Sequence, residues 1–185
     1  RGCPFGCTFC VEGMSYYSKI YRNKEEKINS ELNYIGSKMQ QVRNKGGRND
    51  LWLVDSNFGM YNEDIETCKS IAICQEKYHW PEYIQCDTGK NNKPRVLNAA
   101  RLVKGAIRLS GSVQTLDEDV LKNIKRSNIS GDSLMQLAVE AAEIDADSRS
   151  EIILGLPGES LKSHFETINT VINARFNHVN TYQLM

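Results

Sequence analysis

The chain predicts an α/β fold, a partial (β/α)6 barrel built on a parallel sheet. Five short apolar runs, read as strands buried on both faces, alternate with amphipathic helical stretches. The chain also opens on a loop that leads into a helix with no strand before it, and it closes on a strand at Met185. On that pattern it is expected to be a piece trimmed just after a first strand and just after a sixth.

Within residues 24–42, Ile28, Leu32, Ile35, Met39 and Val42 recur at three- and four-residue spacing, the mark of a helix with one apolar face. Gly46-Gly47 ends it, and a strand follows over 51–54. Asn62 is read as the cap of a helix to about residue 77, and 83–87 as the next strand. Pro94 opens and Gly105 closes a third helix. A strand over 106–114 follows, and Thr115-Leu-Asp-Glu118 forms a capping-box pattern for a helix through Arg126. A helix over 132–144 leads to a strand over 151–155. Ser160 caps a helix to about residue 174, and 179–184 is the last strand. No linker, low-complexity tract or charge block interrupts the series, so residues 1–185 are read as one domain.

Lys+Arg and Asp+Glu each number 23, which leaves no net charge and no basic stripe for a nucleic acid. The longest apolar runs, LWLV and IILGL, are far too short to span a bilayer. No secretory leader opens the chain, and it is read as cytoplasmic. Residue 1 is Arg, so a leader upstream of it stays open.

Three of the six cysteines fall in RGCPFGCTFC, at the spacing C-x3-C-x2-C. A disulfide would leave one thiol over and suits a cytoplasmic chain poorly. Structural zinc takes four ligands, and no fourth Cys or His is near. His79, His164 and His178 are remote in sequence and are read as surface or strand-end residues. The ferredoxin run sets four thiolates on four irons with the gaps in another order. Three thiolates on a cubane cluster leave one iron without a protein ligand, an open position of the kind catalytic metal sites keep. Cys68 and Cys74, six apart in one helix, do not share a face and are read as core residues. Cys86 stands close enough to a strand end to approach the site. Asp87 and Lys90 are read either as polar contacts to a ligand or as parts of a capped turn.

The pattern C-x3-C-x-aromatic-C, formed by Cys3, Cys7, Phe9 and Cys10, resembles the signature of the radical S-adenosylmethionine superfamily. The resemblance implies a TIM-like partial barrel of the radical SAM type. It implies a [4Fe-4S] cluster on the three cysteines, with S-adenosylmethionine chelating the open iron and Phe9 meeting it. An electron, from a donor such as flavodoxin or ferredoxin, would cleave the sulfonium to methionine and a 5′-deoxyadenosyl radical. That radical takes a hydrogen atom from a small-molecule substrate.

Further motifs extend the resemblance. Asp55-Ser56-Asn57-Phe58-Gly59 stands where the family often has a Gly-Gly-Glu stretch on the methionyl amino group, which leaves Asp55 and Asn57 as replacements. SGSVQTLDEDVLKNIKR is similar to members in which a strand-borne Gln and an Arg twelve positions later hold the cofactor. Carried over, Gln114 and Ser112 face the ribose, and Arg126 takes the methionyl carboxylate bidentately. The competing reading of Arg126, with Lys122 and Lys125, is a solvated helix end offsetting the dipole. ILGLPGE at 153–159 resembles the family's motif beside the adenine and places Leu154 there. Its glycines serve either close backbone approach to the ligand or a tight turn.

The wording of these motifs is nearest to members with an N-terminal cobalamin-binding domain, among them methylases of unactivated carbon and ring-forming enzymes. Cobalamin is thus implied through a domain outside these residues. A coproporphyrinogen-dehydrogenase-like oxidoreductase shares the Gln-to-Arg spacing, and a tRNA methylthiotransferase is disfavoured by the neutral charge. A non-enzyme, either an iron–sulfur electron carrier or a zinc-binding module, remains the alternative on the same three cysteines.

Overall fold

The computed structural model describes residues 1–89 and 91–185. Lys90, paired with Asp87 above, lies outside the described residues. Five strands alternate with helices: α1 (Glu25–Asn44), β1 (Asp50–Trp52), α2 (Asn62–Tyr78), β2 (Tyr83–Gln85), α3 (Lys93–Leu102), β3 (Leu109–Ser110), α4 (Glu118–Asn123), α5 (Gly131–Glu143), β4 (Ser148–Leu154), α6 (Leu161–Asn173) and β5 (His178–Gln183). Parallel ladders join β1 to β2, and join β3 through β4 to β5. Among the described residues one parallel bridge, Ile84 to Ile107, links the two groups. The strands therefore lie side by side in chain order, with a helix in every crossover, as parallel pairing requires. Among the described residues no ladder closes β5 onto β1.

The apolar spacing seen in the sequence is spent on one main core. Ile71, Trp80, Ile84, Ile107, Leu109, Leu134 and Ile152 are fully buried between the sheet and its helices. Cys68 and Cys74 belong to that core, as expected. A smaller cluster of Val120, Ile124, Ile153 and Leu156 stands apart from it, with Phe9 packed on it. This second cluster is what the cysteine loop rests on.

Several boundaries differ from the sequence reading. The strand expected over 106–114 contributes only Leu109–Ser110 to a ladder, because the backbone turns at Gln114, whose φ is +66°. Gln114 then touches β4 only through an isolated bridge to Ile152. The cap of α4 is Asp117, not Thr115: its carboxylate accepts from the N–H groups of Asp119 and Val120 at 3.0 and 3.1 Å. The Thr115 hydroxyl instead accepts from the N–H of Asp117. Helix α4 stops at Asn123, so Arg126 lies beyond it. Tyr61, not Asn62, holds the cap position of α2, and Asp64 accepts from its N–H at 2.9 Å. Strand β5, expected to be apolar and buried on both faces, is exposed at five of its six positions. His79 and His178 are exposed, but His164 is buried in α6 with its Nδ1 3.2 Å from Glu159. Among the described residues no helix is long and apolar enough to cross a membrane.

Candidate active site

The cysteine loop is a tight coil held by backbone contacts rather than by regular structure. Cys3 N–H donates to Tyr17 O at 2.9 Å, Thr8 N–H to Ile124 O at 3.0 Å, and Cys10 N–H to Cys7 O at 3.2 Å. Gly13 closes over this turn, and a Cβ there would stand 2.2 Å from the Cys7 carbonyl oxygen. Arg1 fastens the loop's start to the sheet, pairing through Nε with Asp55 at 2.5 Å and through Nη1 with Asp64 at 2.6 Å.

The loop closes one side of a cleft of about 390 Å³ at the C-terminal ends of the strands. Cys3, Cys7 and Cys10 all line it, and all three are free thiols. Each strand end sends a residue to the same space: Asn57 after β1, Thr88 after β2, Ser112 and Gln114 after β3, Ile153 on β4 and Tyr182 on β5. This is where parallel α/β folds present their functional groups.

Four of the seven cofactor-facing residues named from the sequence line this cleft, and a fifth, Arg126, packs on its lining residues. Phe9, Asn57, Ser112 and Gln114 line it. Arg126 is buried against it, with Nη1 3.9 Å from Cys7 Sγ and its carbon centre 6.0 Å from the Phe9 ring. The solvated-helix-end reading of Arg126 is thereby overturned. Burial pushes its guanidinium below the ordinary value, and the Cys7 sulfur works against that shift. Asn57 is 1% exposed and donates from Nδ2 to Cys3 Sγ at 3.3 Å.

Two residues fall elsewhere. Asp55 is drawn out of the cleft by Arg1, and its other oxygen accepts from the Asn57 N–H at 2.9 Å. Leu154 points outward, 43% exposed, and Ile153 takes its place in the lining. Gly155 follows at φ +86° with open space around it, so the turn itself requires that glycine. Cys86 does not line the cleft, and burial raises its pKa, with Asp87 adding to the effect.

Other cleft groups were missed. Glu151 accepts from Ser112 Oγ at 2.9 Å. Arg149, outside the lining, reaches between Glu151, at 3.8 Å, and Asp87, which was named from the sequence and does line the cleft. Glu151 and Ile153 lie two apart on one strand and share its face, a period the sequence displays. Tyr182 carries no such signal, since β5 has little apolar alternation.

The residues present fit an anionic cluster with a polar ligand beside it. A buried guanidinium needs anionic company, and the groups that favour its charge are Cys7, Glu151 and Cys10. The side-chain oxygens of Asn57 and Gln114 are buried without a partner, which leaves acceptors free for a bound ligand. Among the described residues no three Cys, His, Asp or Glu side chains converge on one ion. A cubane makes a different demand, because each thiolate binds its own corner iron.

The family profile described as the Radical SAM superfamily matches residues 1–171. The chain is 29% identical over 177 residues to the cobalamin-dependent radical SAM methyltransferase TokK of Streptomyces tokunonensis, covering 94% of this chain and 25% of that protein. It is equally similar, with the same coverage, to 2-(S-pantetheinyl)-carbapenam-3-carboxylate methyltransferase of Streptantibioticus cattleyicolor. The chain thus spans about a quarter of the length of these curated relatives. In fold it resembles the methyltransferase TsrM of Kitasatospora setae, solved with cobalamin and a [4Fe-4S] cluster bound. That match has a TM-score of 0.74 at 12% identity, over 98% of this chain and 32% of that one. With 171 residues under the family profile, the chain belongs to the radical SAM superfamily, iron–sulfur enzymes that work through a [4Fe-4S] cluster and S-adenosylmethionine.

Proposed function

We propose that Cys3, Cys7 and Cys10 hold the cluster, that S-adenosylmethionine lies in the cleft beside them, and that the chain is the radical core of a cobalamin-dependent methyltransferase acting on a small molecule. The observation that carries the site is Arg126, a buried cation held beside Cys7 at the wall of a cleft that all three loop cysteines line. The two methyltransferase relatives, matched over nearly the whole chain, support the reaction class. Cobalamin itself would be held by a domain outside these residues.

When bound, S-adenosylmethionine would supply, on one-electron reductive cleavage to methionine, a 5′-deoxyadenosyl radical for hydrogen abstraction. The chain's own residues bind and orient. Arg126 offers guanidinium N–H groups to the methionyl carboxylate, in a site where burial strengthens the pairing. Asn57, unpartnered at Oδ1, accepts from the methionyl amino group. Gln114, with a free buried Oε1, and the Ser112–Glu151 pair accept from ribose hydroxyls. Phe9 and Ile153 give the cleft an apolar side that keeps water from the reacting centre. A flavodoxin- or ferredoxin-type donor supplies the electron. The five parallel strands, in chain order with the cleft at their C-terminal ends, are read as five of six in a partial (β/α)6 barrel.

The test is anaerobic reconstitution of the full-length protein with iron and sulfide. It is expected to turn brown and, given a strong reductant and S-adenosylmethionine, to release 5′-deoxyadenosine. A colourless zinc-loaded protein would sink the cluster assignment. A brown protein that never cleaves the cofactor would make it an electron carrier. Failure to bind cobalamin would remove the methyltransferase reading and leave the radical core standing.

A further inference from the structure

Four consecutive carbonyls, those of residues 112–115, each have a donor, and two of these residues, Ser112 and Gln114, line the cleft. Ser112 O accepts from Arg126 Nη2, and Gln114 O from the Ile153 N–H at 2.9 Å. The other two are taken by one side chain: Asn128 Nδ2 donates to Val113 O at 2.6 Å and to Thr115 O at 2.7 Å. The same carboxamide accepts, through Oδ1, from Arg126 Nε at 2.7 Å. Asn128 itself does not line the cleft. Between the two carbonyls it holds stands Gln114 at φ +66°, a left-handed conformation that a non-glycine residue keeps only where its surroundings dictate it.

We infer that Asn128 is a positioning residue for S-adenosylmethionine: it aims the Arg126 guanidinium and holds the Gln114 turn, so that both groups face the cofactor together. The inference rests on the reading that Arg126 and Gln114 contact that cofactor. The chemistry asks for a carboxamide. Its oxygen supplies the acceptor for Nε and its two N–H groups serve the two carbonyls. A carboxylate at this position would turn an oxygen on those carbonyls, and an aliphatic side chain would leave all three groups unpaired.

The experiment is a double-mutant cycle on the cluster-loaded, full-length holoenzyme. Dissociation constants for S-adenosylmethionine are read by equilibrium dialysis for wild type, Asn128→Ala, Arg126→Met and the double variant, beside iron content and thermal midpoint. Asn128→Ala is expected to weaken binding about tenfold with iron content unchanged, and to add less than about threefold in the Arg126→Met background. That coupling separates positioning from a merely structural role, which would lower the thermal midpoint equally in both backgrounds and leave the binding losses multiplicative. If Asn128→Ala does not fold, Asn128→Leu, which fills the same space and likewise leaves the three groups unpaired, carries the same comparison with the same expectation. Wild-type binding by Asn128→Ala, or fully multiplicative losses, overturns the inference while a weakened Arg126→Met keeps the cofactor reading. Wild-type binding by Arg126→Met overturns that reading and the inference with it.

Discussion

Cys68 is fully buried in the main core, where desolvation pushes its thiol from an ordinary 9.0 up to about 12. Above pH 9 the unfolded chain releases that proton and the folded chain keeps it. The raised folded value means that stability is intact below pH 9 and falls as pH rises toward 12, by about 1.4 kcal/mol per unit from this group. Cys68→Ala is therefore expected to flatten the alkaline slope in urea titrations between pH 8 and pH 11. It should cost about 1 kcal/mol at neutral pH and leave the iron content unchanged. Cys3→Ala should lose the iron instead. An unaltered slope in Cys68→Ala would contradict the burial argument. This division of the cysteines was legible, because helical spacing separates Cys68 and Cys74 from a loop that packs three thiols into eight residues. The burial of Arg126 was not. Lys122, Lys125 and Arg126 look like a solvated face in one dimension, whereas in the fold Arg126 turns inward onto Ser112 O, Asn128 and Cys7, the last 119 residues away in sequence. Asp55 misled for the converse reason, since its partner Arg1 was not visible as a partner.

Helix α4 shows how competition among nearby groups decides a boundary. Thr115 had the right spacing to Glu118, but its carbonyl is held by Asn128 and its hydroxyl by the N–H of Asp117. The Leu116 N–H is also committed, to Thr167 Oγ1 at 3.0 Å. The cap therefore passes two residues on, to the next side chain able to accept. The N–H of Val120, first among several donors, holds the Asp117 carboxyl below its ordinary 3.8. Asp117→Ala is expected to cost about 1 kcal/mol in urea denaturation at pH 7. The lowered folded value means that this stabilisation is present above about pH 4 and is lost as pH falls. The difference between Asp117→Ala and wild type should accordingly shrink in acid, and a gap that stays constant to pH 2 would assign the stabilisation to something other than the charged cap. Helix α6, by contrast, was readable at its start. Ser160 accepts from Ser163 N–H at 3.0 Å with no competitor, and the predicted cap is the observed one.

At the scale of the molecule, the cleft is assembled from the whole sheet rather than from one unit. Residues after β1, β2 and β3 meet others on β4, β5 and the cysteine loop, although among the described residues β1–β2 and β3–β4–β5 share only one backbone bridge. The alternation of strands and helices made the chain order of the sheet legible, while the exposure of β5 depends on what covers that edge and has no local signature. A sheet divided this way gains from anything that engages both groups of strands at once. S-adenosylmethionine held between Asn57 on one side and Gln114 and Arg126 on the other does so, and it stabilises by mass action. At one hundred times its dissociation constant, a ligand that binds only the folded state adds about 2.7 kcal/mol. For a domain of this size that corresponds to a rise in thermal midpoint of roughly 5–10 °C. The cluster-loaded protein is expected to melt in a single transition that moves upward as a whole with S-adenosylmethionine, followed by scanning calorimetry under argon. Should the ligand split the melt into two transitions and shift only the later one, the cleft would belong to β3–β4–β5 alone and Asn57 would have no share in it.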